Sequence, residues 1–199
     1  MKATTFCTFI LILMCSPSFL YSQAESSYPY EPSVEHPFGL PNPEAPEQIK
    51  DFAPIIGECT CESVARGADQ SWQPPVSMIW RFKYIMNGQA VQDESLKEDG
   101  TYSGSIRQYN ADSAKWYVHY YATNGVPSTL PAWEGGKKED GNIVLYRDSP
   151  SPTGAPGDYR ITFFNISQEG FDWIGEWVDK AESIQYPLWK ISCKKKEGS

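Results

Sequence analysis

The chain has 199 residues and a formal net charge of −8. That length suits one domain with a real core. The acidic balance argues against a nucleic-acid partner or an anionic membrane surface, since both attract a basic patch.

Met1-Lys2 supplies a positive start, and Phe6–Met14 is an apolar run too short to span a bilayer. Ser22-Gln23-Ala24 offers small residues for a cut before Glu25, and a cut after Ser22 is nearly as good. Cys15 could be a lipoprotein cysteine, but Ile12-Leu13-Met14 lacks the small residue needed before it. Residues 1–24 therefore read as a signal peptide, with the mature chain secreted or periplasmic. No second hydrophobic segment follows, so no membrane insertion is expected.

Residues 25–45 carry Tyr28-Pro29-Tyr30, His36-Pro37-Phe38 and Pro41-Asn42-Pro43. Proline removes donors and fixes φ, so this is an extended N-terminal arm, either docked on the domain or a free linker. Pro46–Phe52 reads as a short helix, with proline in its first turn and Glu47 at its N-terminus.

From Gly57 onward the pattern is strands and turns. Gly57–Arg66 is the first run, ended by Gly67-Ala68-Asp69. Met78, Trp80, Phe82, Tyr84 and Met86 then alternate, with Arg81 and Lys83 on the opposite face. Asn87-Gly88 marks a hairpin in the stretch Ser77–Lys97, because a type I′ turn needs positive φ at both central positions. Thr101–Tyr109 and Lys115–Ala122 follow, then Thr129–Lys138, whose Pro131 and Gly135-Gly136 suggest an edge or bulged strand. Ile143–Arg147, Tyr159–Ser167, Phe171–Lys180 and Tyr186–Lys194 complete the series. Lys194-Lys195-Lys196 reads as a solvated tail. About ten strands joined in order by tight turns favour an all-β, up-and-down antiparallel barrel over residues 46–195.

Cys59, Cys61 and Cys193 lie beyond the leader. Cys59 and Cys61 share one strand face about 6–7 Å apart, out of disulfide reach of each other. If the first strand pairs with the last, Cys193 can bridge to Cys59 or Cys61 and close a very long loop. A three-thiolate metal site is the rival, although Cys-x-x-Cys spacing is absent.

Phe52-Ala53-Pro54-Ile55-Ile56-Gly57-Glu58-Cys59 resembles the start of calycin-like barrels, with Cys59 where those carry a tryptophan. The hairpin Tyr84–Asp93 and the segment Ile106-Arg107-Gln108-Tyr109-Asn110 ahead of Lys115-Trp116 are similar to those of bacterial lipocalin-like proteins of uncharacterised function. The resemblance spans roughly residues 46–194. It implies a cup-shaped barrel with room for a ligand and specifies no chemistry.

The ligand-lining candidates are Trp80, Phe82 and Tyr84 on one strand, Trp116 and Tyr120 on another, and Trp173 and Trp177 on a third. Plain core packing is the favoured reading of these aromatics over a ligand-lining role. Arg81, Arg107, Arg147 and Arg160 lie within strands, where an inward arginine orients an acidic ligand or pairs with a buried carboxylate; parity turns Arg81 outward, and Arg107 shares parity with Thr101, Ser103 and Ser105, on a face that is solvated or lines a polar pocket. His119, added to the candidates, is the domain's one histidine and shares a face with Lys115, Tyr117 and Tyr121. The leading expectation is an exported barrel holding a small, partly apolar molecule. A weak hydrolase or isomerase pairing His119 with Glu94 or Glu176 is one alternative, and a carbohydrate-binding β-sandwich with exposed aromatics is another. No nucleophile elbow, phosphate loop, His-rich metal motif or calcium loop is present, so no cofactor or metal is expected.

Overall fold

In the computed structural model, residues 27–196 and 198 are described. The stretch read as a signal peptide, residues 1–24 with Cys15, lies outside them. Among the described residues no helix is long and apolar enough to cross a membrane.

Ten antiparallel strands form one closed sheet: β1 (Gly57–Ala65), β2 (Val76–Ile85), β3 (Ala90–Lys97), β4 (Tyr102–Asn110), β5 (Lys115–Ala122), β6 (Ala132–Lys137), β7 (Ile143–Asp148), β8 (Gly157–Phe164), β9 (Gly170–Asp179) and β10 (Gln185–Lys195). Each strand pairs with its neighbours in sequence, and β1 closes the barrel on β10. Closure into one barrel excludes the two-sheet sandwich. It also removes the edge expected at β6, which pairs with β5 and β7. Gly135 is why that strand fits: its φ is 154°, and a Cβ there would stand 3.0 Å from the Leu145 Cα.

Alternation sets the interior. Met78, Trp80, Phe82 and Tyr84 on β2 are buried while the residues between them are half-buried or exposed. Arg81 points outward, as its parity requires, and pairs with Glu58 on the neighbouring strand.

The predicted short helix is a 3-10 helix, Glu47–Ile55, that plugs one end of the barrel with Ile49, Phe52 and Ile55. Phe52 meets Trp116 edge-on at 4.9 Å and Phe163 at 6.0 Å. Phe82, Phe163 and Phe171 stack beside them with centroids 5.7–6.3 Å apart. This half of the barrel is solid.

Closure is covalent as well. Cys61 and Cys193 face each other across β1 and β10, with Cα atoms 4.1 Å apart, and form a disulfide. Of the two partners left open for Cys193, Cys61 is the one in register. Cys59 stays a buried free thiol. With two of the three sulfurs bonded to each other, a three-thiolate metal site is ruled out, and no metal-ligand cluster occurs among the described residues.

The arm is docked. Phe38 and Tyr30 carbonyls accept from the Tyr84 and Leu40 amides, and the Asn42 amide donates to the Gly88 carbonyl at 3.1 Å. Asn87 joins the same contact: its side-chain oxygen accepts from the Tyr30 amide and its carbonyl from Asn42 Nδ2. The hairpin there has four loop residues between Ile85 and Ala90, with positive φ at Met86, Asn87 and Gly88. In place of the expected two-residue turn, this longer loop presents the Asn87 and Gly88 carbonyls to Asn42 of the arm.

The C-terminal lysines are tied down too, against expectation. Lys195 Nζ donates to the Pro54 carbonyl at 3.3 Å, and Lys196 pairs with Glu58.

Candidate ligand cavity

Above the aromatic floor the barrel holds a cavity of about 280 Å³. That is at the lower end of small-molecule pockets, roughly 300–1,000 Å³. It lies in the half of the barrel away from the 3-10 helix. Four indoles stand in its wall: Trp80, Trp133, Trp173 and Trp189. They reach it from β2, β6, β9 and β10 by strand parity.

One polar wall faces them. Asp93 is directly opposite Ser105 on β4 and Phe82 on β2. Its carboxylate accepts from Trp80 Nε1 at 2.7 Å, from the Ser105 hydroxyl, and from Arg107. Both members of this ion pair are about 95% buried. A buried pair survives when every lone pair finds a donor, and here three donors converge on one carboxylate. The Arg107 guanidinium lies 5.1–5.7 Å from the ring centres of Phe52, Phe82 and Phe163, so it forms the cavity floor. Its Nε has no acceptor. Ser95 and Ser103 add hydroxyls, hydrogen-bonded to each other at 2.6 Å.

The second inward arginine is Arg147 at the end of β7. Its guanidinium lies 4.3 Å above the Trp133 ring and 5.7 Å from that of Tyr159. Tyr159 is half-buried in the same wall, and desolvation pushes its hydroxyl up to about 12, so it stays protonated.

Of the nine candidates read from the sequence, Trp80, Arg107, Tyr120 and Trp173 line this cavity. Phe82 and Trp116 are fully buried one layer below, packed around the helix plug. Tyr84 is deeper still, beneath the docked arm and in the groove beside Phe38. Its hydroxyl is buried without a partner, and burial pushes it up to about 12. Trp177 covers Gly157, where a Cβ would meet its ring at 2.5 Å, and donates Nε1–H to the Ser149 carbonyl. It anchors the β7–β8 loop rather than the cavity wall.

His119 is not in the cavity. It falls between Val118 and Tyr120, which both line it, and so projects from the opposite face of β5. The carboxylates proposed for it are elsewhere. Glu94 shares the outer parity of β3, and Glu176 is engaged by Arg160 at 2.5 Å on the outside of β8–β9. The histidine-based hydrolase or isomerase therefore loses its geometry.

Asp93, Trp133 and Trp189 were missing from the sequence reading, which marked Arg147 only as one of four arginines within strands. Asp93 was recoverable, because Val91, Asp93 and Ser95 have one parity and pair with the inward face of β2. Arg147 shares parity with the buried Ile143 and Leu145 in the same way.

No family model matches the chain, and no curated protein matches it. Among solved structures, it is similar to the S-type phycobiliprotein lyase CPES from Guillardia theta, at a TM-score of 0.47 and 7% identity over 74% of this chain and 92% of that one. It is also similar to a protein of unknown function of the DUF3598 family from Nostoc punctiforme, at a TM-score of 0.24 and 5% identity over 76% and 100%. Neither reaches a TM-score of 0.5. The architecture rests on the closed ten-strand order itself, which fits a calycin-like barrel, and the ligand question rests on this chain's own residues.

Proposed function

We propose that this chain is an exported barrel that binds a small, partly apolar molecule inside its wall. The observation that carries this is the cavity: one half of the barrel is filled by packed rings, while the other leaves about 280 Å³ among four indoles and the paired Asp93–Arg107 cluster. Small barrels either fill their interior or hold one ligand, and a chain able to pack the lower half solid has left the upper half open. The leader-like residues 1–24 support export. The one carboxylate that lines the cavity, Asp93, is held by Trp80, Ser105 and Arg107, which favours binding as the use of the cavity.

Native mass spectrometry of protein purified from its source tests this. The expected species lacks residues 1–24 and carries a non-covalent small molecule. Val118→Trp, which fills the cavity, is expected to remove that adduct while the melting transition stays cooperative. An adduct that survives Val118→Trp, or a chain that retains residues 1–24, would refute the corresponding half of the proposal.

A further inference from the structure

The charge inside the barrel is opposite in sign to the charge outside. The molecule is acidic, with 25 carboxylates against 17 Lys and Arg. Within the wall, Asp93 and Arg107 cancel each other. Arg147 is then left as a cation in the cavity wall, held by two aromatic faces and by no carboxylate among the described residues. A cation half out of water with no counter-ion is costly to keep unless something compensates it. Its neighbour adds to the imbalance. Trp133 is 8% exposed and its Nε1–H has no acceptor. Lys97 stands across the barrel mouth on β3, its ammonium 4.3 Å above the Trp189 ring. Burial holds it below the usual lysine range. The upper cavity thus has donors and positive charge in excess, and acceptors in deficit.

We infer that the ligand is an anion: an aromatic or alicyclic carboxylate whose ring lies among the indoles and whose carboxylate accepts from Arg147 and Trp133 Nε1. This rests on the binding reading above. The planar guanidinium fork suits a two-oxygen acceptor. The charge of Arg107 on the floor is already neutralised by Asp93, although its Nε–H is open, so the acidic end belongs at the unpaired charge of Arg147 and the apolar body below it. Lys97 contributes attraction at the mouth without forming the seat. An apolar body supplies the affinity and the charge supplies orientation, which together discriminate against neutral analogues.

Isothermal titration with naphthalene-2-carboxylate and naphthalene-2-carboxamide separates the two levels of the proposal. The carboxylate is expected to bind about tenfold or more tightly than the amide, as for a hydrogen bond to a charged group. That preference is expected to shrink as sodium chloride is raised. Arg147→Gln is expected to bring the two probes to equal affinity, and Trp133→Phe to weaken the carboxylate more than the amide; thermal melts establish that each variant folds. Should Arg147→Gln not fold, Trp133→Phe and the salt series decide. Equal affinity of both probes for the wild-type protein, or a preference that survives Arg147→Gln, would overturn the anion while leaving a binding cavity in place. Failure of both probes to bind the wild-type protein would overturn the cavity reading with it.

Discussion

Asp51 shows how a single residue on the helix plug couples the base of the barrel to pH. Its carboxylate accepts from Trp116 Nε1 at 3.0 Å, yet burial raises its pKa above the ordinary value. A carboxyl that holds its proton more tightly when folded binds more protons in the folded state between its two pKa values. Stability is therefore lost as pH rises through that window. Asp51→Asn keeps an acceptor oxygen for the indole and removes the charge. It is expected to raise the melting temperature near neutral pH and to leave it unchanged at a pH below both values. Melts recorded across the acid range check this, and a lower neutral-pH melting temperature for the variant would refute it. At this scale parity was the readable quantity. Trp116, Val118 and Tyr120 alternate in the sequence, so His119 was already on the other face. Its chemical versatility, rather than its position, had made it a candidate.

At the scale of elements, the β2–β3 hairpin and the arm form one unit. The hairpin was legible because Asn87-Gly88 interrupts two alternating runs. The docking was not, because a proline-rich extended segment has no periodicity to read and its partners, the side-chain oxygen and the carbonyl of Asn87, are more than 40 residues away. Gly88 is where the two meet. Its φ is +76°, and a Cβ there would stand 2.6 Å from the Asn42 amide nitrogen. Gly88→Ala is expected to destabilise the protein by about 1–3 kcal/mol through backbone strain and displacement of the arm. Denaturant titration measures the loss. A second readout is faster proteolysis of residues 27–42, and a variant as stable and as resistant as the wild-type protein would show that the arm does not pack as described.

For the whole molecule, the Cys61–Cys193 bridge closes a loop with a sequence separation of 132 residues. The chain-entropy model gives about 4–5 kcal/mol for such a loop. A Cys61→Ser, Cys193→Ser variant is expected to lose roughly that much in guanidinium unfolding, and a loss below about 1 kcal/mol would mean the closed sheet constrains the chain without it. Cys59 does not complicate the measurement in the folded state. Burial pushes its thiol up to about 11, so it remains protonated and unreactive near neutral pH. The same closure explains the cavity. Ten strands enclose more volume than the rings of Phe52, Phe82, Trp116, Phe163 and Phe171 can fill, and the surplus collects at the end away from the helix.

Architecture was legible from local rules. Alternating hydrophobicity, turn residues at short intervals and the absence of helical periodicity left little besides an antiparallel meander. Two cysteine pairings in the whole chain were compatible with closing it. Those signals act over a few residues, so they survive in the linear order. Register chose between Cys59 and Cys61, and register is a property of two strands that are 132 positions apart at the bridge. The same holds for the site. Parity says that Trp80, Phe82 and Tyr84 all point inward, but depth along the barrel assigns the first to a cavity, the second to a floor and the third to a groove beneath the arm. Depth depends on where the helix plug ends and which rings stack on it. That is decided by packing among residues far apart in the chain, and it is why Arg147 lines the cavity on aromatic faces alone while Arg107 is neutralised at its floor.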